Sequence, residues 1–257
     1  MSTGARVTLS QAADELGVHY QTAYRWVRRG RLHALKVNGS YEVGVDAIAE
    51  VRQWRAAPAA PPSQRRVRSW APFAGRAHAA LASGDETSLG ELIADLVEGG
   101  VSLGPVCDHV LAPALVAIGD AWAGGKLSIA DEHRASAVCE RAVARWAPAR
   151  PGRPRGVAVV CSPTEEGHGL PGLMATAVLR EHHWRVHHLG VGVPPDAVQQ
   201  LVVREGADVV VISVAWPPAL PEAARLAERL ADPGRRVLLG RPGGTLAQLV
   251  AGVGLPL

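Results

Sequence analysis

In the stretch CSPTEEGHGLPGLM, residues 161–174, a carboxylate and an imidazole stand one residue apart: Glu166 and His168, in a segment that also carries Gly167, Gly169 and Gly172. A histidine whose one ring N–H is held by a carboxylate has its tautomer and orientation fixed, and it offers the other nitrogen to a metal. Small residues around it let a bulky ligand approach the backbone. Taken alone, such a pair fits an ordinary surface ion pair equally well. A second group lies in AWAGGKLSIADEH, where Trp122 precedes Gly124-Gly125 and Glu132-His133 follow. All three side chains can project into one end of a helical array; a buried Trp beside a capped helix gives the same pattern. The third group is basic. From His19 to Tyr41 the chain has Arg25, Arg28, Arg29, Arg31 and Lys36 and no acidic residue. Such a cluster suits phosphates, and Gln21, Thr22 and Arg25 at its front suit purine edges, with Tyr24 beside them.

The elements that must position these groups are legible in outline. In residues 1–55, TLSQAADELGV reads as a short helix capped by Ser10 and ended by Gly17, with Ala12, Ala13 and Leu16 facing inward. HYQTAYRWVRRG reads as a second helix. RLHALKVNGSYEV alternates apolar and polar residues about Asn38-Gly39, a strong hairpin signal. Helix, Gly turn, helix and β-wing make a winged helix-turn-helix. Residues 56–71 are rich in Pro and Arg and read as a linker. Residues 72–147 follow helical spacing, as in Leu89, Leu92, Ile93, Leu96 and Val97, and predict an antiparallel bundle over about 72–83, 86–99, 102–122 and 128–146. Residues 155–257 alternate apolar β runs with helical stretches, which calls for a parallel sheet covered on both faces. The Glu166-His168 loop follows the first of these strands, where ligands of such sheets bind.

Composition bounds the rest. A chain of 257 residues with 47% hydrophobic content supports more than one globular core. The net charge of +3 is small enough that the distribution of charge carries more meaning than its sum. Cys107, Cys139 and Cys161 are too few and too scattered for a disulfide framework or a zinc site. The N-terminus lacks an apolar signal core, and no run approaches the ~18 apolar residues of a spanning helix. The expectation is a protein of the reducing cytoplasm with no membrane segment.

Residues 6–55 resemble the MerR/excisionase-type winged helix-turn-helix. The Trp122-x9-Glu132-His133 arrangement resembles the helical cap of the cobalamin-dependent, MerR-type light-responsive transcriptional regulators. The third block is similar to their cobalamin-binding domain, marked by Asp/Glu-x-His-x-x-Gly, then Ser-x-Leu/Thr, then Gly-Gly. Glu166 and His168 fit the first part, and Ser213 the start of the second. Gly240, or Gly243-Gly244 after a slip, fits the third. The domain order is the same over essentially the whole chain. This chain departs from the pattern at Pro171, at Trp216 after Ser213, and at Arg241. It also carries Ala123 where light-responsive members have a histidine able to bind cobalt.

The resemblance implies a multidomain α and α/β protein: winged helix-turn-helix, four-helix bundle cap and Rossmann-like cobalamin-binding domain. It implies cobalamin, adenosylcobalamin in particular, with cobalt held by His168 and bordered by Trp122, Glu132, His133, Glu166, Gly169, Ser213, Gly240 and Gly243. Double-stranded DNA would be met by Gln21, Thr22, Tyr24, Arg25, Arg28, Arg29 and Lys36. The implied function is transcriptional regulation through a ligand-controlled homo-oligomer, dimer or tetramer, with no catalytic turnover. Two alternatives stand beside it: a regulator of this architecture with another pigment or a protein as its signal, and a corrinoid-carrying methyltransferase subunit.

Overall fold

Short-range pairing shapes the N-terminal elements of the computed structural model, which describes residues 6–18, 20–28, 30, 32–37, 39–56, 67–147 and 152–255. The chain divides into two units, Met1–Pro61 and Pro62–Leu257. The first runs β1 (Arg6–Thr8), α1 (Leu9–Glu15), α2 (Tyr20–Arg28), β2 (Ala34–Val37), β3 (Ser40–Gly44) and α3 (Val45–Ala56). Thr8, not Ser10, caps α1. The Gln11 N–H donates to the Thr8 hydroxyl at 3.2 Å while the Gln11 side chain accepts the Thr8 N–H at 2.9 Å. Only residues at the N-cap and third helical positions can form this reciprocal box, and Ser10 already lies inside the helix. Gly17, with φ +62°, follows the end of α1. Val37 lies opposite Ser40, and Gly39 at φ +85° supplies the left-handed turn between them; Asn38 falls outside the described residues. Strand β1, too short to carry a pattern of its own, was not foreseen; it pairs with β3 to complete an antiparallel sheet of order β1-β3-β2. Leu9, Ala12, Ala13, Leu16, Ala23, Leu32, Val43 and Ile48 are buried in one cluster.

The second unit opens with α4 (Ala71–Ser83), α5 (Glu86–Glu98), α6 (Leu103–Val106), a π turn (Cys107–Leu111), α7 (Ala112–Ala123) and α8 (Ile129–Arg145). It continues with β4 (Val157–Cys161), α9 (Leu170–Glu181), β5 (Arg185–His188), α10 (Pro195–Arg204), β6 (Val209–Ile212), a 3₁₀ turn (Pro217–Ala219), α11 (Leu220–Leu230), β7 (Arg236–Leu239) and α12 (Leu246–Gly252). The four strands pair in parallel in the order β5-β4-β6-β7. Alternate strand residues serve two cores. Ala158, Val160, Val209 and Val211 pack with α9, α12 and the bundle, whereas Val159, Cys161, Val210 and Ile212 pack with α10 and α11.

From Leu103 to Ala123 the helix is continuous, and by length and composition it is apolar enough to cross a membrane, contrary to the expectation that no segment would be. Asp108, His109 and Asp120 interrupt the segment, so it holds no unbroken apolar run. Its buried residues, Val106, Val110, Leu111, Ala114 and Ile118 among them, lie in the bundle core. All three cysteines are free and buried, and desolvation raises each thiol, Cys139 and Cys161 to about 12.

Two carboxylates join bundle to sheet by capping helices across the seam. Glu181, at the end of α9, accepts the Leu103 N–H at the start of α6 through both oxygens, at 3.2 and 3.0 Å. Asp108, on the π turn, accepts the Leu246 and Ala247 N–H groups at the start of α12, at 2.8 and 3.0 Å. A helix start has donors with no partner inside the helix, so these side chains satisfy groups that a bundle–sheet seam would otherwise strand. Asp108→Ala or Glu181→Ala is expected to lower the unfolding free energy by about 1–2 kcal/mol, whereas exposed Asp120→Ala stays within about 0.5 kcal/mol. Urea unfolding measures all three, and equal values would remove the caps from the account.

Candidate functional site

The strand order makes β4 the place where the chain first adds a strand on one side, β5, and then crosses to the other, β6. Loops after β4 and β6 therefore meet at the carboxyl edge, at a topological switch point. The loop after β4 carries Glu166 and His168. Glu166 is 1% exposed. Its Oε1 accepts the His168 backbone N–H at 2.8 Å and lies 2.5 Å from His168 Nδ1. Its Oε2 accepts the Ala215 and Trp216 N–H groups, at 2.7 and 2.8 Å, from the segment after β6.

A carboxylate surrounded by donors acts as acceptor only, so Nδ1 carries a proton, and in the neutral ring Nε2 presents its lone pair. The His168 side chain is 63% exposed. Burial would raise the Glu166 carboxyl, but the N–H groups of Trp216, His168 and Ala215, with the His168 ring, together hold it below its ordinary value. A lowered carboxyl gives stability that is fully present above the ordinary value of 4.5 and lost as pH falls through the lower folded value. Glu166→Gln should therefore be less stable than wild type near neutral pH, and the gap should close in acid well below 4.5. Urea unfolding at several pH values checks this, and a gap that stayed constant would exclude the ionised carboxylate as its source.

Around His168 the edge is apolar and closely built. Trp216 and Val191 are 43% and 42% exposed, unusual for residues of their size, and Val191 lies beside Gly169. Behind them Gly172 is buried in the first turn of α9. A Cβ there would stand 3.2 Å from His188 Nε2, 3.6 Å from Val160 Cγ1 and 3.7 Å from Ser213 Cβ. Pro171 suits the first helical turn, and Gly172 makes the close approach. Gly240 is equally confined, since a Cβ would meet the Ile212 carbonyl oxygen at 3.1 Å. Gly243, at φ +74°, lies in the loop before α12, next to exposed Arg241. His188 is kept below its ordinary value by burial first and the Arg180 charge second. At this edge a single exposed imidazole stands near the exposed Trp216 and Val191, so the one group here that could hold a metal complex is His168.

The other expected residues are distributed as follows. Trp122 closes α7 and is exposed. Glu132 and His133 stand in the first turns of α8, where the Glu132 carboxylate meets His133 Nδ1 at 2.8 Å and accepts the Ser136 hydroxyl at 2.9 Å. The capping box of Ser128 and Asp131 starts that helix. In the first unit Gln21, Arg28 and Lys36 are exposed. Tyr24 stacks on Tyr20 and meets Tyr41 of β3 edge-on, with ring centroids at 6.4 and 5.8 Å. Arg29 and the side chains of Thr22 and Arg25 lie outside the described residues. Sequence reading missed the amides of Ala215 and Trp216, the exposed Val191 and His188 packed beside Gly172; no spacing rule points to any of them.

Comparison with known proteins defines the class. Residues 7–55 match the family described as a helix-turn-helix domain, and residues 74–146 and 156–249 each match a family described as a B12 binding domain. The chain is thus a helix-turn-helix domain followed by a two-part B12-binding module. It is similar to the HTH-type transcriptional repressor CarH of Myxococcus xanthus, 33% identical over 138 residues, which is 53% of this chain and 44% of that protein. The match therefore spans less than half the length of that relative. The monomethylamine corrinoid protein of Methanosarcina barkeri shares the fold, with a TM-score of 0.54 at 14% identity over 73% of this chain and 92% of its own. A cobalamin-binding protein of Desulfitobacterium hafniense DCB-2 aligns at 18% identity over 74% of this chain and 91% of its own, with a TM-score of 0.34 that carries no weight.

Proposed function

We propose that this protein is a cytoplasmic, cobalamin-sensing transcriptional regulator that binds double-stranded DNA as a ligand-controlled homo-oligomer. In this reading residues 1–55 are the DNA-binding head, 56–71 a linker, 72–147 the helical cap and 155–257 the cofactor domain. The observation that carries the reading is the Glu166-held, outward-facing His168 at the switch point of the sheet, in a chain that also contains a helix-turn-helix domain. His168 would hold cobalt through Nε2, with Trp216, Val191 and Gly169 beside the corrin. The nucleotide tail would lie beside Gly172, Ser213 and Gly240. Trp122, with Glu132 and His133, would border the upper ligand.

Adenosylcobalamin would supply a cobalt–carbon bond that light can break. The protein's part would be to offer the His168 nitrogen to the metal, to shield it from water with Trp216 and Val191, and to respond to the bound ligand at the end of α7. One head binds DNA weakly; pairing heads in an oligomer raises the effective concentration, a gain that can reach about 10²–10⁴-fold. A ligand that binds the assembled form better stabilises it by that difference.

Protein purified with adenosylcobalamin tests this by its absorbance in the dark and after illumination, together with its mass by light scattering. The expected result is bound cofactor, a higher oligomer in the dark and a smaller one after light. With Ala123 unable to bind cobalt, the illuminated form should be reversible or poorly defined. A protein that retains no corrinoid favours the alternative signal, a different pigment or a protein. The fold shared with a corrinoid protein also suits a methyltransferase subunit, but the helix-turn-helix domain favours a regulator without turnover.

A further inference from the structure

The loop that carries Glu166 and His168 is held from outside by a residue with no place in the motif. Glu222, in the first turn of α11, accepts the Thr164 N–H on one carboxylate oxygen and the Glu165 N–H on the other, both at 3.3 Å. The Glu166 N–H goes to the Pro163 carbonyl at 3.1 Å, and the His168 N–H to Glu166. Four loop amides are thereby engaged within five residues. The two carboxylates also cross: Glu166 reaches from the β4–α9 loop to the amides of Ala215 and Trp216, and Glu222 reaches from α11 back to Thr164 and Glu165. Metal–nitrogen distances tolerate only about 0.2 Å, so a ligand on a glycine-bearing loop needs its backbone fixed independently of the metal.

We propose that Glu222 is a positioning residue for His168, holding the first half of the loop so that Nε2 faces the metal. This rests on the reading of His168 as the lower ligand. An acidic residue in a first helical turn also stabilises its own helix. That role alone would lower the stability of the protein and leave the ligation of any bound corrinoid unchanged.

Full-length protein labelled with ¹⁵N-histidine, loaded with hydroxocobalamin and reduced to cobalt(II), gives the test by electron paramagnetic resonance. Wild type should show the doublet splitting of one axial ¹⁵N, and His168→Ala should lack it. Glu222→Ala should shift the balance toward unligated cobalt by roughly tenfold, the factor set by losing a charge-assisted hydrogen bond, and Glu222→Gln, which keeps one acceptor oxygen, should fall between. In the cofactor-free protein, amide hydrogen exchange at Thr164 and Glu165 should quicken by about tenfold in Glu222→Ala while the β4 amides are unchanged. Wild-type splitting with a wild-type ratio in Glu222→Ala, or unchanged exchange, overturns the role of Glu222 alone. Absence of the splitting in wild type overturns the reading of His168 and this proposal with it.

Discussion

His168→Ala is expected to weaken corrinoid binding by about 10–100-fold and to remove the protein nitrogen from the metal. The expectation follows from the division of labour at the site. Glu166 is tied to four N–H groups and cannot itself turn to a ligand; His168 Nε2 is the outward-facing atom of the pair. In the proposed complex, apolar contact with Trp216 and Val191 would survive the substitution, and burial of that surface at about 25 cal/mol per Å² would keep binding measurable. Glu166→Ala should be worse for the fold. It leaves the Ala215 and Trp216 amides without their acceptor, at about 1–3 kcal/mol for each that stays buried. Spectrophotometric titration with hydroxocobalamin, beside urea unfolding of the apo forms, separates the two effects. An unchanged spectrum and affinity in His168→Ala would remove the residue from the site.

The second large effect concerns DNA. A protein lacking residues 1–55 is expected to lose specific binding altogether, because the helix-turn-helix domain goes with them. Within α2, Ala23 is buried and Trp26 and Val27 pack on the core, while Gln21 and Arg28 are exposed. Helical spacing groups position 25 with positions 21 and 28. Arg25→Ala should cost about 1–3 kcal/mol on the specific operator if it reads a base. Arg28→Ala should weaken all sequences alike and lower the salt slope by about one if it meets phosphate. Electrophoretic shift or anisotropy titrations over a range of salt distinguish the two, and full operator binding by the truncated protein would refute the placement. The Tyr20-Tyr24-Tyr41 contacts tie α2 to the wing, so these substitutions should not disturb the core.

Much of this was legible in the sequence, for reasons that differ by element. Hydrophobic periodicity is a local property, and it foretold the bundle helices and the order of strands and helices in the last block, because each must bury one face or both. Gly39 marked the hairpin because a left-handed turn there needs glycine. The Glu166-His168 pair was visible because a single intervening residue in one loop is a distance that sequence itself sets.

What only the tertiary structure decided are the contacts between segments far apart in the chain. The amides of Ala215 and Trp216 find Glu166 only because β6 lies beside β4. Glu222 meets Thr164 only because α11 returns to the same edge. Asp108 caps a helix that begins at Leu246, and nothing in the local pattern of either segment requires the other. The meaning of Pro171 also waited for the fold: the close approach falls to Gly172, since packing against His188, Val160 and Ser213 is set by how α9 lies on the sheet. Periodicity reports how each segment buries itself, whereas the partner of a polar group depends on which strands become neighbours, and that is fixed only when the sheet closes.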